Sequence, residues 1–204
     1  MTPLPETLYG CTAAFINRLR EYPREDQDTL TEALYAATAY HAEQYRKSGL
    51  PFIIHPIQAC LVLFAIKADV PSLVATLLHD TLEITSATPE GIKKRFGDDV
   101  YKLVESVTHN KIFSNKEFLE KVYAKSNDDY RVACIKIADR CANLMYGSQL
   151  VFPPDQHASN LRETEEFYVC QLAALPTVPA SLRKFLATCL EGSRHDLLTR
   201  HDNR

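Results

Sequence analysis

The chain of 204 residues is 46% hydrophobic and 24% charged, with a net charge of −3. This is the composition of a soluble globular protein, read as a single domain over residues 1–204, with no global field to favour nucleic acid or an anionic membrane. No apolar run approaches the ~20 residues of a membrane span. The start, Met1-Thr-Pro-Leu-Pro-Glu6, lacks the basic and apolar regions of a secretion signal, so a cytoplasmic protein is expected. Its six cysteines include no C-x-x-C pair and are read as reduced, mostly buried thiols.

Helical periodicity runs through almost all of the sequence. Helices are predicted over 12–20, 27–47, 56–68, 71–83, 89–96, 98–109, 129–147, 158–175 and 180–197, an all-α bundle of about eight to nine helices. Within 27–47, His41 falls on the stripe Leu34, Ala37, Thr38 and reads as a core histidine. Gly49 and Pro51 force a turn near residues 47–52. Pro56 opens the next helix, whose face is Ile57, Cys60, Leu61 and Phe64. Pro71 opens another, and its apolar run Leu73–Leu78 ends abruptly on His79-Asp80. Thr88-Pro89 reads as an N-cap followed by Pro in the first turn, and Val100, Leu103, Val104 and Val107 mark the face of the helix beyond. The polar, lysine-bearing stretch 110–128 is expected to be an irregular loop beside a site. Val151-Phe-Pro-Pro-Asp155 reads as a helix-breaking connection, and Leu182, Phe185, Leu186, Cys189 and Leu190 line the last helix.

Chemistry concentrates at a few polar residues that the pattern places in apolar surroundings. A histidine and a carboxylate at the end of a buried helix are costly unless something binds them. The chain also supplies His55, ahead of Pro56, and Asp139, which shares a face with Ile135, Ala138 and Ala142. Two imidazoles and two carboxylates are a plausible shell for a hydrolytic divalent metal. Each alone has a simpler reading, a cap or a satisfied polar group; the set of four does not. Asn143 lies one turn after Asp139, and Glu83 four residues after His79, placed to hold or deprotonate a metal-bound water. Lys93-Lys94-Arg95 reads as a solvated face, and His157, His195 and His201 are assigned no role.

Four motifs in order resemble the hydrolase domain of the RelA/SpoT family, a branch of the HD-domain phosphohydrolases, over about residues 36–168. They are His41-Ala-Glu-Gln-Tyr-Arg46-Lys47-Ser48-Gly49-Leu-Pro51-Phe-Ile-Ile-His55-Pro56, then Leu77-Leu78-His79-Asp80-Thr81-Leu82-Glu83. Next come Phe96-Gly97 through Leu103-Val104-Glu105-Ser106-Val107-Thr108, and Ile135-Lys136-Ile137-Ala138-Asp139-Arg140-Cys141-Ala142-Asn143. The resemblance implies an all-helical bundle holding one Mn²⁺ on His55, His79, Asp80 and Asp139. It implies hydrolysis of the 3′-diphosphate of guanosine tetra- or pentaphosphate, with release of pyrophosphate. Arg46, Lys47 and Ser48 would then hold the nucleotide and Asn143 the ribose, with Tyr146 beside them. Arg140 and the lysines of 110–128 would help neutralise the polyphosphate. Because bifunctional members carry a synthetase domain after the hydrolase, a stand-alone alarmone hydrolase with a small-molecule partner is expected.

The chain departs from the family pattern at the site itself. Glu83-Ile84 stands where the family has Glu-Asp, Met145-Tyr146 where it has Arg-Thr, and Leu50 and Phe52 where it has Glu and Tyr. Such changes leave open another substrate (an adenosine analogue, NADPH or a 5′-mononucleotide) and a catalytically silent alarmone-binding module. Oligomeric state is not legible.

Overall fold

In the computed structural model, residues 4–147 and 153–202 are described. They form an all-helical bundle, with no strand among the described residues and one isolated antiparallel bridge, Tyr45–Pro51. The helices are α1 (Leu8–Leu19), α2 (Arg24–Tyr40), α3 (Ile54–Ala65), α4 (Val70–Leu78), α5 (Thr81–Ile84) and α6 (Pro89–Val107). They continue with α7 (Asn115–Asp128), α8 (Tyr130–Gly147) and α9 (Pro154–Glu163), which runs into a π-helical segment (Thr164–Leu172) before α10 (Ala180–Asp202). The centre is α3, buried at every residue from Ile54 to Phe64. Its sequence is apolar all round, so it packs against α1, α4 and α8 at once. The other long central helix, α8, packs on α3, α7 and α10.

Side-chain caps start the helices where the sequence supplies them. Thr7, Asp69 and Thr88 each accept a backbone N–H two or three residues into α1, α4 and α6. α6 bends at Gly97, whose φ of 89° suits glycine, so the two predicted helices 89–96 and 98–109 are two arms of one kinked element.

Four expectations are corrected. α2 ends at Tyr40 rather than 47, because His41 leaves helical geometry (φ −100°, ψ 13°) and its Nδ1–H donates to Gln44 Oε1 at 2.8 Å. Residues 41–53 therefore form a loop, turned at Gly49 (φ 82°). The predicted helix 71–83 breaks at His79-Asp80 into α4 and the single turn α5. The stretch 110–128 is not a loop throughout: α7 opens at Asn115 on a Ser114–Glu117 capping box and buries Phe118, Leu119, Val122 and Ser126. The predicted helix 158–175 is instead α9 followed by the π-helical segment. Of the predicted connection at 151–155, Val151 and Phe152 lie outside the described residues; α9 begins at Pro154.

Candidate metal centre and active site

Three elements aim four polar side chains at one point. His55 stands in the first turn of α3, His79 and Asp80 occupy the break between α4 and α5, and Asp139 lies in the middle of α8. His55 Nε2 is 3.1 Å from Asp139 Oδ1 and 3.7 Å from Asp80 Oδ2. His79 Nε2 is 3.2 Å from Asp80 Oδ2 and 3.7 Å from Asp139 Oδ1. Ligand atoms of His55, His79 and Asp80 all lie within 4.8 Å of one another.

The donor set fits a cation on its own terms. Nδ1–H of His79 donates to the Thr76 carbonyl at 2.7 Å, which fixes Nε2 as the nitrogen facing the cluster. That Nε2 is buried and makes no hydrogen bond. Burial disfavours charge on the ring, but Asp80 and Asp139 outweigh it and raise the His79 pKa to about 9. Burial likewise works against charge on the two carboxyls, yet beside His79 Asp80 is lowered to about 2, and beside Lys136 Asp139 is held well below the usual carboxylate range. Two carboxylates that demand positive charge, Asp139 buried and Asp80 partly so, will hold a proton on His79 or a metal ion in its place. Burial dominates at His55 and pulls its pKa down, leaving a neutral ring suited to coordination.

Around the cluster, Asn143 Nδ2 donates to Asp139 Oδ1 at 2.8 Å, and its own Oδ1 accepts from Arg46 Nη2 at 2.9 Å. The loop 41–53 is thereby joined to the site, with Arg46 over the Phe52 ring at 5.7 Å. Lys47 and Ser48 are exposed near its turn. The described residues do not include the Tyr146 side chain. His41 is buried as expected, stacked on Phe52 at 4.8 Å, but its Nε2 has no hydrogen-bond partner, so it is not a fully satisfied core histidine. Ile84 is partly exposed, and its carbonyl accepts from Gln44 Nε2 at 2.6 Å.

A cleft of about 320 Å³ opens beside Asp139 and includes Glu83, His109, Lys136, Arg140, Asn143 and Glu163. Glu83 is on α5, where its Oε2 accepts the His109 backbone N–H at 3.2 Å. Lys136 Nζ pairs with Asp139 Oδ2 at 2.8 Å, and Arg140 pairs with Glu163 and lies over the Tyr168 ring. A second cavity of about 460 Å³, lined by Lys111 and Lys121, shares Glu83 and His109 with the cleft. Sequence reasoning missed Lys136, His109 and Glu163. The Lys-x-x-Asp spacing was a usable signal for Lys136, since i, i+3 residues share a helix face. Nothing local marked the other two, which reach the cleft through tertiary packing.

A helical bundle with a His-Asp pair at a helix break, completed by a distant histidine and aspartate, defines the class. Residues 33–174 match the HD domain, and the chain belongs to that family. Its relatives within the family are SpoT/RelA-type proteins. The chain is 39% identical over 154 residues to the guanosine-3′,5′-bis(diphosphate) 3′-pyrophosphohydrolase of Aquifex aeolicus, covering 74% of this chain and 22% of that protein. It is 35% identical over 158 residues to the bifunctional (p)ppGpp synthase/hydrolase SpoT of Escherichia coli, again 74% of this chain and 22% of the relative. The chain thus spans about a fifth of the length of these relatives. A solved structure described as "A metazoan ortholog of SpoT hydrolyzes ppGpp and plays a role in starvation responses" superposes with a TM-score of 0.71 at 26% identity, over 84% of this chain and 97% of that one. No helix among the described residues is long and apolar enough to cross a membrane.

Proposed function

We propose that this chain hydrolyses the 3′-diphosphate of guanosine tetra- or pentaphosphate and releases pyrophosphate, with Mn²⁺ held by His55, His79, Asp80 and Asp139. The observation that carries this reading is the meeting of both Nε2 atoms with both carboxylates at 3.1–3.7 Å, at the edge of a cleft that also holds Lys136 and Arg140. The relatives named for this reaction support the substrate class. A bound divalent ion would polarise a phosphoryl oxygen and lower the pKa of water.

The remaining work falls to the chain's own side chains. Glu83 takes the proton of the attacking water, a role worth ~10²–10⁴ in rate. Arg46, with Lys47 and Ser48 beside it, holds the nucleotide, and Asn143 meets the ribose. Asn143 links that grip to Asp139, so binding and ligand placement are mechanically joined. Arg140 lies in the cleft where it can meet the polyphosphate. The described cysteines are all free, which suits a cytoplasmic setting with a small-molecule substrate.

A product-resolved assay over 3′-diphosphate nucleotides, NADPH and mononucleotides tests the reading. Pyrophosphate release that needs Mn²⁺ and stops with chelator is expected; metal-independent turnover, or orthophosphate as sole product, rejects it. Ile84 supports a second reading, a module that binds alarmone without cleaving it. If Ile84→Asp creates activity that the parent lacks, that second reading holds.

A further inference from the structure

Glu83 works without the acidic neighbour that the family pattern places after it, since residue 84 is isoleucine. Its orientation therefore depends on what else touches its carboxylate. That carboxylate accepts the His109 backbone N–H on Oε2 at 3.2 Å, across 26 residues of sequence. His109 follows the last residues of α6, in the turn leading to α7, a place where a backbone amide has no regular partner to fix it.

Two contacts of the His109 side chain hold that turn in place. The His109 ring stacks on Phe118 of α7, with centroids 4.6 Å apart and planes inclined by 19°. Its Nε2–H donates to the Phe113 carbonyl at 3.0 Å; a carbonyl only accepts, so the proton is on Nε2. Phe118 is itself held inside the site, with the Lys136 ammonium 5.3 Å from its ring centroid and that same ammonium paired with Asp139. A continuous series of contacts thus runs from Asp139 through Lys136, Phe118 and His109 to the carboxylate of Glu83.

We propose that His109 is a positioning residue for the hydrolysis: its side chain staples the 109–113 turn onto α7 so that its backbone amide holds Glu83 toward the cleft. The inference rests on the hydrolase reading of the site. It differs from a proton-transfer role for the imidazole, because the group that acts on Glu83 is the main-chain N–H.

Pyrophosphate release by the Mn²⁺-loaded full chain tests it. His109→Ala is expected to lower kcat by about 10-fold to 100-fold, the cost of a misplaced catalytic group, with KM changed by less than about twofold. His109→Gln keeps an N–H donor for the Phe113 carbonyl and should recover most of the rate. In a cycle with Glu83→Gln, the double variant should be no slower than Glu83→Gln alone. Penalties that multiply, or a loss carried by KM, overturn the proposal.

A readout free of turnover accompanies these. The amide proton resonance of residue 109 should move upfield in Glu83→Gln, because a charged acceptor is replaced by a neutral one, and His109→Ala should collapse that difference. An unmoved resonance overturns the proposal. If the resonance moves in Glu83→Gln but the wild-type chain cleaves no 3′-diphosphate nucleotide, the hydrolase reading is overturned instead.

Discussion

Asp139 holds more of the site together than any other side chain, since it meets both imidazoles, Lys136 and Asn143. Replacing it with asparagine keeps the shape and removes the charge. At the proposed metal site, Asp139→Asn should therefore abolish the stabilisation expected from Mn²⁺ in the parent, about 2.7 kcal/mol at a hundredfold excess over Kd. Melting curves with and without the ion measure this directly. Lys136→Met should act differently. It strips the buried carboxylate of its nearer cation and leaves only His79 to face it, a loss of up to about 3–5 kcal/mol in the metal-free protein, and Mn²⁺ should restore part of that loss by supplying the missing charge. If metal gives Lys136→Met no more stabilisation than the parent, the ammonium and the ion do not share Asp139.

The helix ends show which local signals are reliable. Ser114 and Glu117 satisfy each other's orphan groups at the start of α7, and the apolar side chains Phe118, Leu119 and Val122 follow at helical spacing. Those marks were present in the sequence, yet the polar and lysine-rich composition of 110–128 outweighed them. Ser114→Ala should cost about 1 kcal/mol. Because α7 carries the Phe118 side of the cleft, the same change should also weaken turnover slightly. Gly97 is the complementary case. A Cβ there meets no neighbour within 4 Å, so the penalty of Gly97→Ala comes only from its backbone, whose φ of 89° and ψ of 171° lie in a region nearly confined to glycine, and should be about 1–3 kcal/mol by melting. The break at His79-Asp80 was legible as chemistry but not as geometry. Periodicity carried the helix through to residue 83, while the side chains needed the backbone to turn there so that both could face His55 and Asp139.

Across the whole molecule, Arg131 joins three separated parts of the chain. Its guanidinium meets Asp69 at the start of α4, Asp99 on α6 and Asp129 just before α8, at 3.1, 2.7 and 2.7 Å. Hydrogen bonds from Arg131 lower the pKa of Asp99 and Asp129 below their ordinary 3.8. Lowered carboxyls stabilise the fold fully above the unfolded value, and that contribution fades as pH drops through the folded value. Stability should thus be lost progressively as pH falls below about 3.8. Arg131→Met should flatten that part of the profile, as followed by denaturant unfolding at stepped pH; an unchanged slope would mean that the network is energetically idle.

The all-helical class and the membership of His55, His79, Asp80 and Asp139 in a common chemistry were legible from residue order, because burial of charge is improbable without a partner wherever the partner lies. Local rules also located the cap at Thr88 and the break between two helical arms at Gly97. Packing alone decided that α8 lies against α3, which brings Asp139 within 3.1 Å of His55 although 84 positions separate them. Packing decided equally that His109 faces Glu83 and that Glu163 meets Arg140. Spacing along a helix reports only which neighbours share its face; distances between helices depend on how buried side chains from several of them fill the same space.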